Sequence, residues 1–270
     1  MSRIEQALEK ASRIREAETT TVSVPSVGAV PPEKAGAAPS NPYLVTITDP
    51  ESIAAEEYRK LKAMVIKLTK RDSARNSIMV TSCGSNEGKS VLSINLAVSL
   101  AQEVSHRALL IDADLRRPSL AGYLGLDASV GLAECLRDGV DVSSAVVQTG
   151  VPKLDLLPAG ASVRNPVELL SSPKMKTILG DLKRSYQERY IIIDTPPILS
   201  FAETQVLSLL AEQVLLVVRE GAVTPQELRE AIDILQGTRI LGITFNDVSA
   251  QSMTKRNRYY QRYYTEQKQA

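Results

Sequence analysis

The sequence predicts an α/β fold, a mostly parallel and doubly wound sheet with helices on both faces. Three observations predict it. Short apolar runs ("SIMVTS", "RALLIDAD", "KLDLLPAG", "YIIIDTPP", "QVLLVVR", "ILGITFNDV") alternate with stretches of helical period. The runs are apolar almost throughout rather than at every second residue, as in strands buried on both faces of a parallel sheet. Glycines or aspartates follow several of them, where the chain turns into the next helix.

In chain order, residues 1–17 read as an amphipathic helix, with Ile4, Ala7, Leu8, Ala11 and Ile14 near one face. Too short to fold alone, it is expected to pack on something or to serve as an adaptor for a partner. Residues 18–42 are rich in Pro, Ala, Ser and Thr without period and read as a flexible linker. The domain is expected over residues 43–250. It opens with "YLVTIT" as a short strand, followed by the helix "DPESIAAEEYRKLKAMVIKLTK" with Asp49 as N-cap and Pro50 at its first position. "SIMVTS" then leads through a glycine loop into the helix "KSVLSINLAVSLAQ". After "RALLIDAD" and "KLDLLPAG" comes one long helix, "NPVELLSSPKMKTILGDLKRSY". "YIIIDTPP" and "QVLLVVR" precede the helix "TPQELREAIDILQG", capped by Thr224 with Pro225 first, and "ILGITFNDV" closes the sheet. Residues 251–270 form a tail.

The chain has 270 residues, 43% of them hydrophobic and 23% charged, with a net charge of +1. This is ordinary for a globular protein and gives no whole-chain reason to expect nucleic acid or an anionic membrane as partner. Cys83 and Cys135 are too few for a disulfide framework and lack zinc spacing, so a reducing cytoplasm is expected. The charged start "MSRIEQALEK" has no secretory h-region, and no window approaches the roughly 18 apolar residues of a membrane span. Membrane association is therefore expected to be peripheral, through a partner.

The chemistry is carried by three segments. "VTSCGSNEGKS" (Val80–Ser90) lies between a predicted strand and helix, the context of a phosphate loop. Gly84 and Gly88 allow close backbone approach, and the amides of Ser85, Asn86, Glu87, Gly88, Lys89, Ser90 and Val91 surround an anion at a helix N-terminus. Lys89 would reach the β- and γ-phosphates of ATP, and Ser90 would ligate Mg²⁺. The first glycine of the usual pattern is Cys83, and Gly84 stands where the partition ATPases carry a second lysine. "ALLIDADLRRP" ends an apolar strand in Asp112 and Asp114, both on one side if the strand continues, with Arg116 beyond. Carboxylates at the end of a parallel strand lie at the ligand site, suited to holding Mg²⁺ or taking a proton from an attacking hydroxyl. Asp112 is the preferred metal ligand of the two, with the roles otherwise open. "YIIIDTPP" adds Asp194 in the position of a Walker B carboxylate. Asn246, ending "GITFN", either contacts the base or closes a strand. His106, the only histidine, is expected at the surface.

In order and kind, these motifs resemble the bacterial tyrosine kinases, the cytoplasmic P-loop kinases of capsule and exopolysaccharide synthesis. The resemblance spans about residues 43–264. It includes "EEYRKLK", similar to the family's E-x-x-R-x-x-R self-association helix through Glu56, Arg59 and Lys62, with Lys62 in place of the last arginine. It also includes the terminal "NRYYQRYY". "SFAET" departs from the pattern, placing Glu203 where an aspartate is common. The N-terminal segment is similar to the exosortase-associated members. The resemblance implies an ATP- and Mg²⁺-dependent kinase that autophosphorylates Tyr259, Tyr260, Tyr263 and Tyr264 in trans. It further implies a homo-oligomer, a membrane polysaccharide co-polymerase as activator, a cognate tyrosine phosphatase, and recruitment to the inner membrane through a partner. Two other readings are a partition- or septum-positioning ATPase using nucleotide as a dimer switch, and a tail that binds nucleic acid or anionic membrane through interleaved Arg and Tyr.

Overall fold

A computed structural model of the chain describes residues 38–69, 76–103, 106–185 and 189–249. The N-terminal helix, most of the linker and the tyrosine tail lie outside the described residues. The strands are β1 (Ser77–Ser82), β2 (Arg107–Asp112), β3 (Val147–Gln148), β4 (Leu154–Leu157), β5 (Arg189–Asp194), β6 (Gln213–Arg219) and β7 (Ile240–Asn246). They form one sheet in the order β3-β4-β2-β5-β1-β6-β7, parallel except for the β3–β4 pair. The doubly wound prediction is met.

Strand side chains alternate between two cores, which is why the runs read as continuously apolar. Met79, Leu109, Ile111, Ile191, Ile193, Leu216 and Val218 enter one; Ile78, Val80, Ala108, Leu110, Ile192, Leu215 and Val217 enter the other. The helices on the sheet are α1 (Val45–Thr48), α2 (Ile53–Thr69), α3 (Lys89–Ala101), α4 (Leu120–Leu124), α5 (Leu132–Arg137), α6 (Val142–Ala145), α7 (Val167–Leu170), α8 (Pro173–Ser185), α9 (Ala202–Leu210) and α10 (Pro225–Ile234). Thr224 caps α10 as expected: its hydroxyl accepts from Glu227 N, and the Glu227 carboxylate accepts from Thr224 N. Among the described residues no helix is long and apolar enough to cross a membrane.

Three expectations are corrected. "YLVTIT" is not a strand, because Val45–Thr48 forms the helical turn α1. Its backbone is captured by buried Asn95 of α3, whose Oδ1 accepts from Thr46 N (3.1 Å) and Oγ1 (2.9 Å) while Nδ2 donates to Tyr43 O (2.9 Å). This tertiary contact outweighs the β-propensity of the β-branched run. Asp49 and Pro50 do not start α2. Asp49 N instead closes α1 on Val45 O, and the Ser52 hydroxyl accepts from Ala55 N at 3.1 Å as the true cap. The long helix predicted over 165–186 breaks into α7 and α8, since Ser172 spends its hydroxyl on Leu169 O and Met175 N ahead of Pro173.

Candidate active site

Every predicted chemical residue in the described chain falls at the carboxyl end of the parallel strands. The loop after β1 closes on Gly88, whose φ of +84° makes it the left-handed N-cap of α3. Glu87 is 1% exposed and turned inward. One of its carboxylate oxygens accepts Gly84 N–H and the other accepts Arg219 N–H at 3.0 Å, tying the loop to the end of β6. From the end of β7, Asn246 Nδ2 donates to Glu87 O at 2.9 Å. The loop is thus fastened from two strands before any ligand arrives. Its amides, not the Glu87 side chain, remain for an anion. Ser85 and Asn86 are exposed at its crest, Asn86 at φ +61°. Cys83 is buried, and burial with the Glu87 charge beside it pushes its thiol up to about 12, so it fills space as a thiol.

Register sets Asp112 directly beside Asp194 across the β2–β5 ladder. Asp194 is fully buried and accepts the Ser90 hydroxyl at 2.6 Å on one oxygen and the Ser93 hydroxyl at 2.9 Å on the other. Asp112 accepts Ser119 N (3.0 Å) and Leu120 N (3.1 Å) on Oδ2 and Asp114 N (3.2 Å) on Oδ1. That last bond corrects the expectation that Asp112 and Asp114 continue one strand: β2 ends at Asp112 and the chain turns on its carboxylate. Asp114 consequently faces Lys89, with Nζ to Oδ2 at 3.6 Å, while its Oδ1 takes Arg117 N–H at 3.0 Å. His106 is partly covered, its ring edge-on to Tyr190 at 5.3 Å, and stands at the start of β2, away from these groups.

Burial pushes both inner carboxylates up. Asp112 rises to about 7, through desolvation first and then the charges of Asp194 and Asp114, against the amides of Leu120 and Ser119. Asp194 is raised by burial, with Lys89, Ser90 and Ser93 pulling the other way. An acid raised in the folded state binds more protons folded than unfolded. Its stabilisation is complete below its unfolded pKa of about 4 and is lost as pH rises through the folded value. The unfolding free energy of the ligand-free protein should therefore fall between pH 5 and 7, by up to about 1.4 kcal/mol per pH unit for one proton, and urea midpoints should fall with it. Midpoints that stay flat or climb over that interval would contradict this assignment.

This donor set suits Mg²⁺. Among the described residues no three His, Cys, Asp or Glu side chains converge into a cage. A serine hydroxyl against a carboxylate, with a second carboxylate alongside, is the incomplete set that an ion keeping its waters and taking phosphate oxygens requires. Carboxylates that burial pushes up are also the groups that a divalent cation would hold ionised.

Residues 77–239 match the family model described as an AAA domain. Tyrosine-protein kinase YwqD of Bacillus subtilis is 35% identical over 205 residues, covering 75% of this chain and 85% of YwqD. The chain belongs to the bacterial tyrosine-protein kinases. Within this family, tyrosine-protein kinase CpsD of Streptococcus agalactiae serotype Ia is 32% identical over 64% of this chain and 74% of its own. The kinase domain of Escherichia coli tyrosine kinase ETK superposes with a TM-score of 0.72 at 28% identity, over 78% of this chain and 82% of that one. The septum site-determining protein MinD of Pyrococcus horikoshii, at 22% identity and a TM-score of 0.55, shares the fold alone. Two features of this kinase site were not legible in the motifs: the inward Glu87 latch, and an ion pair joining Arg116 to Glu203.

Proposed function

We propose that this chain transfers the γ-phosphoryl group of ATP to tyrosine hydroxyls, with Tyr259, Tyr260, Tyr263 and Tyr264 of a neighbouring copy as acceptors. By this it would regulate exopolysaccharide or capsule polymerisation and export. The supporting observation is the juxtaposition of Lys89 with Asp114 at 3.6 Å, beside Asp112 and Asp194 and at the mouth of a phosphate loop. Asp114, 6% exposed, is the least buried of the three carboxylates, against 1% for Asp112 and none for Asp194. It is the one a phenol reaches first. In this reading the Asp114 carboxylate takes the phenolic proton as the new O–P bond forms and the bond to the bridging oxygen of ADP breaks. Lys89 and the amides of residues 85–91 offset the charge developing on the transferred group. Ser90 and Asp194, with Asp112 behind them, would hold Mg²⁺, which supplies charge neutralisation at the phosphates when bound. Asp112, already committed to three backbone amides, mainly shapes the turn that presents Asp114. Asn246 keeps Oδ1 for the amino group of the base while Nδ2 holds the loop.

Self-association would use α2. Its Glu56 and Arg59 pair at 2.6 Å, Arg59 also donates to Pro50 O at 2.7 Å, and Lys62 binds Glu103 at 2.5 Å. Any intermolecular contact through these charges must exchange them. Met64 and Leu68, exposed at i and i+4 on the same helix, offer the apolar area for it. A membrane co-polymerase would act as activator and recruit the chain to the inner membrane, and a cognate phosphatase would reset the tail. Each phosphate adds about −1.5 to −2 charges, so phosphates on several of the four tyrosines would turn a tail that carries Lys255, Arg256, Arg258, Arg262 and Lys268 against Glu266 from basic to acidic.

The test is incubation of the full chain with ATP and Mg²⁺, followed by mass spectrometry across a dilution series. Phosphate on the tail tyrosines, with a specific rate that falls on dilution, is expected. An unmodified tail refutes the kinase reading, and a concentration-independent rate refutes transfer between copies.

A further inference from the structure

Glu203, in the first turn of α9, is fully buried, and the Arg116 guanidinium grips it as a fork. Nε donates to Oε1, and Nη2 lies 3.4 Å from Oε2. The same guanidinium donates through Nη1 to Arg164 O at 3.2 Å and stacks over the Phe201 ring with Cζ at 5.0 Å from its centroid. The backbone of this segment is held as well. Arg116 O accepts the Ser162 hydroxyl at 3.0 Å, and Leu115 O accepts Val163 N–H at 2.8 Å. One side chain thereby joins the loops that follow β2, β4 and β5. These loops carry or adjoin Asp114 and Asp194.

We propose that Arg116, fixed by Glu203 and Phe201, is a positioning residue for phosphoryl transfer, holding Asp114 at its place opposite Lys89. This rests on the kinase reading above. Asp114 lies two residues before Arg116, and its Oδ1 is bound by Arg117 N–H one residue after it. With Asp112 gripping the upstream end through Asp114 N–H, the segment is pinned on both sides of the reacting carboxylate. Glu203 is fully buried while the Arg116 side chain stays 31% exposed, and such a pair adds little net stability over apolar residues of similar volume, so fastening the fold is a poor reason for one here. Geometry is a better reason: a planar fork with a stacked face fixes direction as well as distance, and displacements of about 1 Å at a reacting group cost on the order of 10²-fold in rate.

The experiment uses the full chain with Arg116→Lys and the double variant Arg116→Met/Glu203→Met, which removes both charges and leaves no orphaned carboxylate. Hydrogen exchange and steady-state phosphorylation are both measured. In the double variant, amides of residues 113–119 should exchange at least tenfold faster while residues 84–90 stay unchanged. Its kcat should fall on the order of 10²-fold with KM for ATP within twofold, and Arg116→Lys, which keeps charge without the fork, should fall between. Unchanged exchange at 113–119, a kcat within twofold of wild type, or parallel losses in kcat and ATP affinity would each overturn the proposal. Should the wild type leave its tyrosines unmodified, the kinase reading fails, and the exchange result alone decides whether Arg116 holds the Asp114 segment.

Discussion

Lys89→Met is expected to lower tail phosphorylation on the order of 10³-fold, which corresponds to about 4 kcal/mol of transition-state stabilisation. Methionine keeps most of the apolar stem, so the packing around a side chain only 16% exposed should survive while the charge is lost. That charge has two tasks. During transfer it opposes the negative charge spreading over the γ-phosphoryl oxygens. In the ligand-free protein it lies 3.6 Å from Asp114 and lowers the cost of ionising Asp194. Without it, the mutual repulsion of Asp112, Asp114 and Asp194 loses the Lys89 charge that opposes it at Asp194. The ligand-free variant should therefore lose stability at pH 8 and recover it toward pH 5, the sign required when folded-state carboxylates are pushed further up. ATP affinity should weaken less than the rate, because the loop amides still cradle the phosphates. Quantitative mass spectrometry alongside urea titrations at the two pH values checks both parts. A rate within tenfold of wild type would show that the phosphate lies elsewhere.

How much of this site could be read beforehand depended on the range of the forces involved. The strand ends were legible because Asp112 and Asp194 terminate apolar runs, and parallel pairing places such ends side by side. Asn246 was visible as a polar stop after "GITF", but its contact with the loop was not, since Asn246 and Glu87 are 159 residues apart. Glu203 read only as a departure from a pattern. Its meaning comes from a guanidinium 87 residues away, and neither residue's neighbours announce the pair. The same limit explains the N-terminal miss, where a β-branched run was read locally and Asn95, 49 residues on, decided its conformation. Short helices such as α4 (Leu120–Leu124) and α6 (Val142–Ala145) hold too few residues for a period to show. Local signals therefore pointed to the candidate residues at the strand ends, whereas the fastening of those residues is long-range side-chain bonding that no spacing encodes.

That fastening makes Gly88→Ala the second substitution with a large expected effect. At φ +84° any L-residue pays roughly 1–2 kcal/mol, and the added Cβ would sit 2.1 Å from Asn246 Nδ2. Asn246 can retreat only by giving up its 2.9 Å bond to Glu87 O, worth about 1 kcal/mol. Together these reach about 2–3 kcal/mol, or roughly 30- to 150-fold in an equilibrium constant. If the loop keeps its shape the loss appears in global stability. If it relaxes the loss appears as weaker nucleotide binding, because the ligand must then restore the shape. Titration with a fluorescent ATP analogue, paired with urea unfolding, captures both. The cycle with Asn246→Ala separates the causes. In that background the steric contact is gone, and Gly88→Ala should cost only the backbone part, about 5- to 30-fold. An equal cost in both backgrounds would mean that Asn246 does not clamp the loop. A change below threefold in both would mean that Gly88 is not held in the left-handed region at all.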